Sequence, residues 1–287
     1  MQTLTLIGVG LIGGSLALDL KRAGKVSHVF GVDIDADNLE RALERRVIDH
    51  ALPALTDEAA RADVVMIATP VAAMPQVMRT LAQHTDASTV ITDVGSTKQL
   101  TVRAFRDYLP QHFARCVAAH PIAGSDRSGA TAARFGLFED KKLVLCPHEA
   151  QDAAGLALIR SLWETVGAQV HVMSAAQHDR IFSAVSHLPH LLAYAFMHQI
   201  AQDGERSALL HFAASGFRDF TRIAASHPDI WADVCVANRE DILAHLQDFY
   251  RELDVLRGWL QSGDRQALHD FFAAAKEARD RWQEQQS

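Results

Sequence analysis

Two short segments carry side chains able to do chemistry together. Asp93-Val94-Gly95-Ser96-Thr97-Lys98 and Ala119-His120-Pro121-Ile122-Ala123-Gly124-Ser125-Asp126-Arg127-Ser128-Gly129 each follow an apolar run. A serine hydroxyl beside an imidazole suits deprotonation of an alcohol that is losing hydride, because histidine titrates near neutrality. By residue type alone His120 reads equally as a structural histidine. A second cluster lies further along. Ser186-His187-Leu188-Pro189-His190 sets two histidines three apart, on one face if helical. Metal ligation is one reading, but no third ligand stands nearby at a familiar spacing. In Ser215-Gly216-Phe217-Arg218-Asp219-Phe220-Thr221-Arg222, two arginines four apart share a helix face. Such a pair suits a dicarboxylate, each guanidinium binding one carboxylate in bidentate fashion. The alternative is two solvated surface arginines.

The elements that must position these groups read clearly in the first half. Apolar strand-like runs fall at Leu4–Ile7, Val29–Val32, Val64–Ala68, Thr89–Thr92, Cys116–Ala119, Leu143–Leu145 and Val170–Met173. Helix-like segments at Leu11–Ala23, Asp37–Arg46, Thr97–Tyr108 and Ala153–Val166 lie between many of them. That alternation predicts an α/β fold with a mostly parallel sheet covered on both faces. The first strand leads straight into Gly8-Val9-Gly10-Leu11-Ile12-Gly13, and the second ends in Asp33, twenty residues after Gly13. In strand–turn–helix context this is a dinucleotide fingerprint. Gly8 permits the tight turn, Gly10 the approach of a pyrophosphate, and Gly13 close packing of helix on strand. The helix start at Leu11 and Ile12 offers free N–H groups to phosphate. Asp33 can accept both ribose hydroxyls and would repel a 2′-phosphate, which favours NAD over NADP; a strand-end cap is its bland alternative. Thr69 and Pro70, after the third long run, line the adenosine side or form a plain loop.

From Ala175 onward no convincing strand is found, and apolar residues recur at three and four spacing, as in Leu243, Leu246, Phe249, Tyr250, Leu253, Leu256 and Leu260. Breaks near Asp203-Gly204, Ser226-His227-Pro228 and Ser262-Gly263-Asp264 divide this half into four or so helices. Its polarity is low for helices standing alone, which suggests cover by another copy of the chain. The division predicted is residues 1–173 for the nucleotide-binding part and 174–287 for the helical part. With 287 residues, 48% apolar, 22% charged and a formal net charge of −7, the chain fits a globular enzyme. It does not fit one that coats nucleic acid or anionic membrane. Three separated cysteines without a CxxC argue against a disulfide framework or a thiolate metal site. No membrane span and no export signal are read, so the expected compartment is the cytoplasm.

GVGLIGGS, DVGST, HPIAGSDRSG, SHLPH and SGFRDFTRIA, in this order, resemble the prephenate/arogenate dehydrogenase family of tyrosine biosynthesis, and the resemblance spans nearly the whole chain. It implies a Rossmann domain, doubly wound, followed by an all-α C-terminal dimerisation domain, in the minimal monofunctional form. It implies a homodimer using NAD without a metal, and oxidative decarboxylation of prephenate to 4-hydroxyphenylpyruvate. His120 then matches the base at the 4-hydroxyl, and Ser96 the serine that orients that hydroxyl and the nicotinamide. Arg222 matches the anchor for a substrate carboxylate, and Arg218 a neighbouring basic position. His187, His190 and Trp231 match pocket positions near the substrate side chain, with Asp179 orienting one of the cations. Asp126 matches an acidic loop residue paired with Arg222 as a gate. His190 resembles relatives that accept prephenate, with arogenate as a second substrate. A β-hydroxyacid dehydrogenase is disfavoured, because the region Phe182–Tyr194 lacks that family's lysine. A non-catalytic dinucleotide sensor would not need Ser96 and His120 facing two arginines. Replacing Asp33 by Ser should narrow the preference for NAD over NADP; if kcat/KM for both cofactors keeps its ratio, the ribose contact lies at another residue.

Overall fold

The computed structural model describes residues 1–124 and 128–285. Eight strands form one sheet in the order β3-β2-β1-β4-β5-β6-β7-β8. They are β1 (Thr3–Ile7), β2 (His28–Val32), β3 (His50–Leu52), β4 (Val64–Ile67), β5 (Val90–Asp93), β6 (Cys116–Pro121), β7 (Lys142–Cys146) and β8 (Gln169–Val172). All neighbours run parallel except β6 and β7, where His120 stands opposite Val144. Strand β4 is buried at every position, as an apolar run in a covered parallel sheet must be.

Helices α1 (Leu11–Arg22), α2 (Ala36–Glu44), α3 (Asp57–Ala60), α4 (Met74–His84), α5 (Gln99–Tyr108) and α6 (Ala153–Thr165) connect the strands. One face of the sheet is packed by Leu16 and Leu20 of α1, Leu39 of α2 and Trp163 of α6. The other is packed by Met78 and Leu81 of α4 and Phe105 of α5. The periodicity reading missed β3, the four-residue α3 and α4. Strand β3 is three residues long with no buried position, so no apolar run announces it. Helix α4 carries Pro75 in its first turn, where the missing N–H costs nothing.

After β8 the described residues form only helices: α7 (Ala175–Phe182), α8 (Leu188–Gln202), α9 (Arg206–His211), α10 (Ser215–Thr221), α11 (Pro228–Ala237), α12 (Arg239–Ser262) and α13 (Arg265–Glu284). The expected breaks after α8, before α11 and after α12 are present, while the short helices α9 and α10 are additional. They part at Phe212-Ala213-Ala214, which contains neither Gly nor Pro, so composition gives no sign of the boundary. The chain forms two compact units, Met1–Arg239 and Glu240–Ser287. In the second, Trp259 and Phe271 pack edge to face at 5.9 Å. Its helices also expose Leu243, Leu260, Phe272 and Trp282.

Topology sets the site. The sheet order reverses between β1 and β4, and ligands of open α/β sheets bind outside the carboxyl ends of strands at such a point. Gly8 after β1, Asp33 after β2, Thr69 after β4, Ser96 after β5 and His120 near the end of β6 all lie along that edge.

Candidate active site

Gly8 adopts φ +89°, and a Cβ there would stand 2.7 Å from the Ala68 carbonyl oxygen, so the turn excludes any side chain. At Gly13 a Cβ would meet the Ala68 Cβ at 3.3 Å, which gives the close helix–strand approach expected. Gly10 instead has nothing within 4 Å of its virtual Cβ, leaving an open cradle. Gly10 precedes Leu11 at the start of α1, with no side-chain cap and no acidic residue in the first turn. The free N–H groups and the positive dipole end there suit phosphate. Asp33 is engaged within the chain itself. Its Oδ2 accepts from Val9 N at 2.9 Å and from Asn38 Nδ2 at 3.1 Å, while Oδ1 accepts from Asp35 N at 3.0 Å. It therefore ties the glycine turn to the end of β2. Asn38 extends the tie, donating to Val9 O and accepting from Ala130 N, both at 2.8 Å. The Thr69 hydroxyl is buried without a partner among the described residues, and Pro70 is exposed beside it. An open cradle, an uncapped helix start, an acidic strand end and an orphaned hydroxyl together fit a dinucleotide.

The next strand ends are cross-braced by buried charge. Lys98 Nζ lies 2.5 Å from Asp93 Oδ2 and donates to the Ala119 carbonyl at 2.7 Å, with both charged side chains fully buried. Asp93 Oδ1 accepts from Ala119 N at 3.1 Å, and Oδ2 from Gly95 N at 2.8 Å. One ion pair thus fixes the turn bearing Ser96 and the residue before His120. Ser96 is half-buried, and its hydroxyl has no hydrogen bond among the described residues. His120 Nδ1 lies 2.8 Å from His178 Nε2, and His178 Nδ1 lies 2.7 Å from Asp179 Oδ1. Phe182 packs on both rings, with centroids 5.0 Å from His120 and 4.4 Å from His178. Burial drives the His120 pKa well below its ordinary range, and the neighbouring His178, the Lys98 charge and His187 disfavour a proton there in the same direction. His120 is therefore a neutral imidazole.

Asp179, expected to orient a cation near substrate, is buried at 1% exposure. Its oxygens accept from Lys98 N at 2.7 Å and Gln99 N at 2.8 Å as well as from His178. The side chain it pairs with is the His178 imidazole. Burial raises its pKa, but these hydrogen bonds outweigh burial and hold it below the usual carboxylate range. His178, Lys98, Asp93, Phe182 and Asn238 were not singled out from sequence as site residues. Lys98 and Asp93 lay in a quoted motif, but nothing in their types revealed a buried pair.

His187 ends a π-helical turn, Ser183–His187, between α7 and α8, marked by the Leu188 N–H bonding to the Ser183 carbonyl. Pro189 explains the widening: a proline ring within a continuous α-helix would strike the carbonyl four residues back, here Val185. His187 is buried, and Asn238 Nδ2 reaches both its Nδ1 at 3.0 Å and the Asp179 carbonyl at 2.8 Å. Burial, working against the pull of Asp179 and with smaller pushes from the neighbouring His178 and His190, lowers the His187 pKa to about 4. His190 donates Nδ1–H to the Ser186 carbonyl at 2.8 Å and stacks on Trp231 at 3.5 Å between centroids. Burial lowers its pKa against the Ser186 hydrogen bond, and the Arg222 charge adds to the lowering. Trp231 thus packs near both His187 and His190, with Arg222 beside His190. Arg218 and Arg222 are both exposed; α10 ends at Thr221, and Arg222 opens a 3-10 turn (Arg222–Ala225), so the one-turn spacing spans two helix types. Asp233 on α11 accepts from Ala72 N at 3.1 Å, tying that helix to the turn after Pro70. Asp126 lies outside the described residues, and so does the gate expected of it.

Residues 16–172 match the family description "Prephenate dehydrogenase, nucleotide-binding domain", and residues 174–274 match "Prephenate dehydrogenase, dimerization domain". This chain belongs to the prephenate dehydrogenase family. The prephenate dehydrogenase of Bacillus subtilis is 36% identical over 97% of this chain and 76% of its own length. The cyclohexadienyl dehydrogenase of Zymomonas mobilis is 32% identical over 96% of this chain and 94% of its own. A solved prephenate dehydrogenase from A. aeolicus, in complex with hydroxyphenyl propionate and NAD+, superposes with a TM-score of 0.91 at 31% identity, covering 98% of both chains. For a prephenate dehydrogenase, the architecture found here is the expected one: a Rossmann sheet followed by helices. Among the described residues no group of three or more His, Cys, Asp or Glu side chains is placed to hold a metal ion, and no helix is long and apolar enough to cross a membrane.

The four histidines of this site share one consequence. Each has a pKa below its unfolded value near 6.5, so below that value the unfolded chain binds more protons than the folded one. Their stabilisation is complete above about pH 6.5 and is lost as pH falls; for His187 the loss runs down to about 4 and is on the order of 3 kcal/mol. Urea unfolding should therefore give a falling ΔG between about pH 7 and pH 5. A flat profile would mean that these rings ionise freely in the folded chain.

Proposed function

We propose that this chain catalyses the NAD-dependent oxidative decarboxylation of prephenate to 4-hydroxyphenylpyruvate, a step of tyrosine biosynthesis. The observation that carries the reading is the hydrogen-bonded row His120–His178–Asp179, which sets the His120 imidazole at the edge where the sheet order favours ligand binding. When bound, NAD supplies the acceptor for the hydride from C4, and loss of the ring carboxylate as CO2 follows with aromatisation. Gly8, Gly10, Leu11, Ile12 and Gly13 hold its phosphates, Asp33 its ribose, and Thr69 and Pro70 line its adenosine side.

The chain's own work is positional and acid–base. His120 takes the proton of the 4-hydroxyl, which a neutral imidazole can do and an imidazolium cannot. Ser96 orients that hydroxyl with its unengaged side chain. Arg222 grips a substrate carboxylate, with Arg218 adding positive field beside it. His187, His190 and Trp231 wall the side-chain end. Asp179 serves through His178 and the backbone of α5 rather than by touching substrate. The helical part, residues 174–287, supplies the substrate pocket and the homodimer contact, residues 1–173 hold the nucleotide, and the enzyme works in the cytoplasm.

A second reading adds arogenate as a substrate. His190 spends its Nδ1 proton on Ser186, so its neutral ring offers Nε2 as an acceptor, which suits an ammonium as a side-chain substituent. The relative from Zymomonas mobilis named cyclohexadienyl dehydrogenase supports it. Side-by-side kcat/KM values for the two substrates test it, and a rate with prephenate alone would remove it.

Adding NAD+ and prephenate should yield NADH and CO2 in equal amounts. His120→Asn should lower kcat, on the order of 10²-fold or more, with little change in prephenate affinity. Arg222→Ala should mainly raise the prephenate KM, by an amount on the order of 2–4 kcal/mol. An unchanged turnover in the first variant rejects His120 as base; an unchanged KM in the second places the anchor elsewhere.

A further inference from the structure

The hydrogen bonds behind His120 decide which of its nitrogens can act. Asp179 accepts two backbone N–H groups, from Lys98 and Gln99, and is held ionised. A carboxylate can only accept, so His178 Nδ1, 2.7 Å away, carries a proton. His178 is fully buried, and burial and the Lys98 charge disfavour a second proton on its ring despite the pull of Asp179. Its Nε2 is then a lone pair. The His120 Nδ1 lying 2.8 Å from that lone pair must donate, which puts the His120 proton on Nδ1 and leaves Nε2 free to accept.

We infer that His178 is a positioning residue for the proposed base: backed by Asp179, it holds His120 as the Nδ1–H tautomer with an available lone pair on Nε2. The inference rests on the reading of His120 as base and says which atom does the work. During the reaction Nε2 takes up the hydroxyl proton while Nδ1 keeps its own. The imidazolium so formed faces the Asp179 carboxylate through a neutral His178, which favours the charge just when it appears. An acid–imidazole arrangement of this kind fixes tautomer and orientation and stabilises the charged ring without itself being protonated. Here a second imidazole is interposed. Phe182 packs at a tilt against both rings, so each is held by packing as well as by its hydrogen bonds.

The geometry also limits which replacements suit the position. Leucine removes the acceptor for His120 Nδ1–H but retains bulk. Glutamine retains a side-chain oxygen able to accept.

The test uses the full chain labelled with 15N-histidine and loaded with NAD+, the His120 signals being assigned by their loss in His120→Asn. The unaltered chain should show the proton on Nδ1 and a free Nε2. His178→Leu should lose that signature and lower kcat on the order of 10²-fold, while the prephenate KM stays within about threefold and NAD+ affinity is unchanged. His178→Gln should recover kcat to within about tenfold of the unaltered chain. A His120 proton on Nε2 in the unaltered chain, or full turnover in His178→Leu, overturns the inference. Should His178→Leu fail to fold, the tautomer measurement and His178→Gln still decide. The two readings fail differently: full turnover in His120→Asn removes the base itself, whereas an essential His120 with an indifferent His178 removes only the positioning role.

Discussion

The site depends on one buried ion pair. Lys98 and Asp93 have no exposure to solvent, and two like or unpaired charges could not stay there. Buried pairs add little net stability compared with apolar packing, but removing one partner is costly, on the order of 3–5 kcal/mol. What this pair provides is placement. It joins the end of β5 to the end of β6 through Ala119, and the backbone N–H of the same lysine reaches Asp179 on α7. The turn carrying Ser96, the strand carrying His120 and the first helix after the sheet are thus referred to one point.

Around it the site is divided by protonation. Most of its titratable groups are held in one state by burial and by fixed hydrogen-bond partners. Asp179 is kept charged by two backbone N–H groups and His178, while the histidines are kept neutral. Asn238 extends this order to His187: because the Asp179 carbonyl can only accept, the end of the amide facing it is the NH2, and His187 Nδ1 therefore accepts from that same group. His187 and His190, three apart in sequence, are left with opposite tautomers, one with its proton on Nε2 and the other on Nδ1. Two residues of one type thereby offer two different contacts.

Much of this was legible before the fold was known. The glycine turn, Asp33, the alternating first half and the helical second half follow from spacing and periodicity, which are local signals. Ser96, His120, His187 and His190 were singled out because short motifs carry them, and Trp231 through the family resemblance. What the sequence withheld depends on contacts across the chain. His178 looks like an ordinary polar residue near a helix start, and Asp179 was named only through the family resemblance; the approach of α7 to the ends of β5 and β6 gives them partners 58 and 81 residues away. Asp33 illustrates the converse: its fingerprint role was visible, but its grip on Val9 and Asn38 needed coordinates. Strand β3 and the short helices α9 and α10 escaped because neither a run nor a breaker marks them.

The hydrogen bond from Ala72 N to Asp233 links two regions otherwise served by different parts of the chain. One end lies two residues past Pro70, on the rim assigned to the nucleotide. The other lies two residues past Trp231, whose indole supports His190. Asp233 and Trp231 stand two residues apart on α11, so one short helix meets both the turn after β4 and the His190 ring. A single backbone N–H thereby stitches the loop beyond a strand of the sheet to a helix of the second half of the chain.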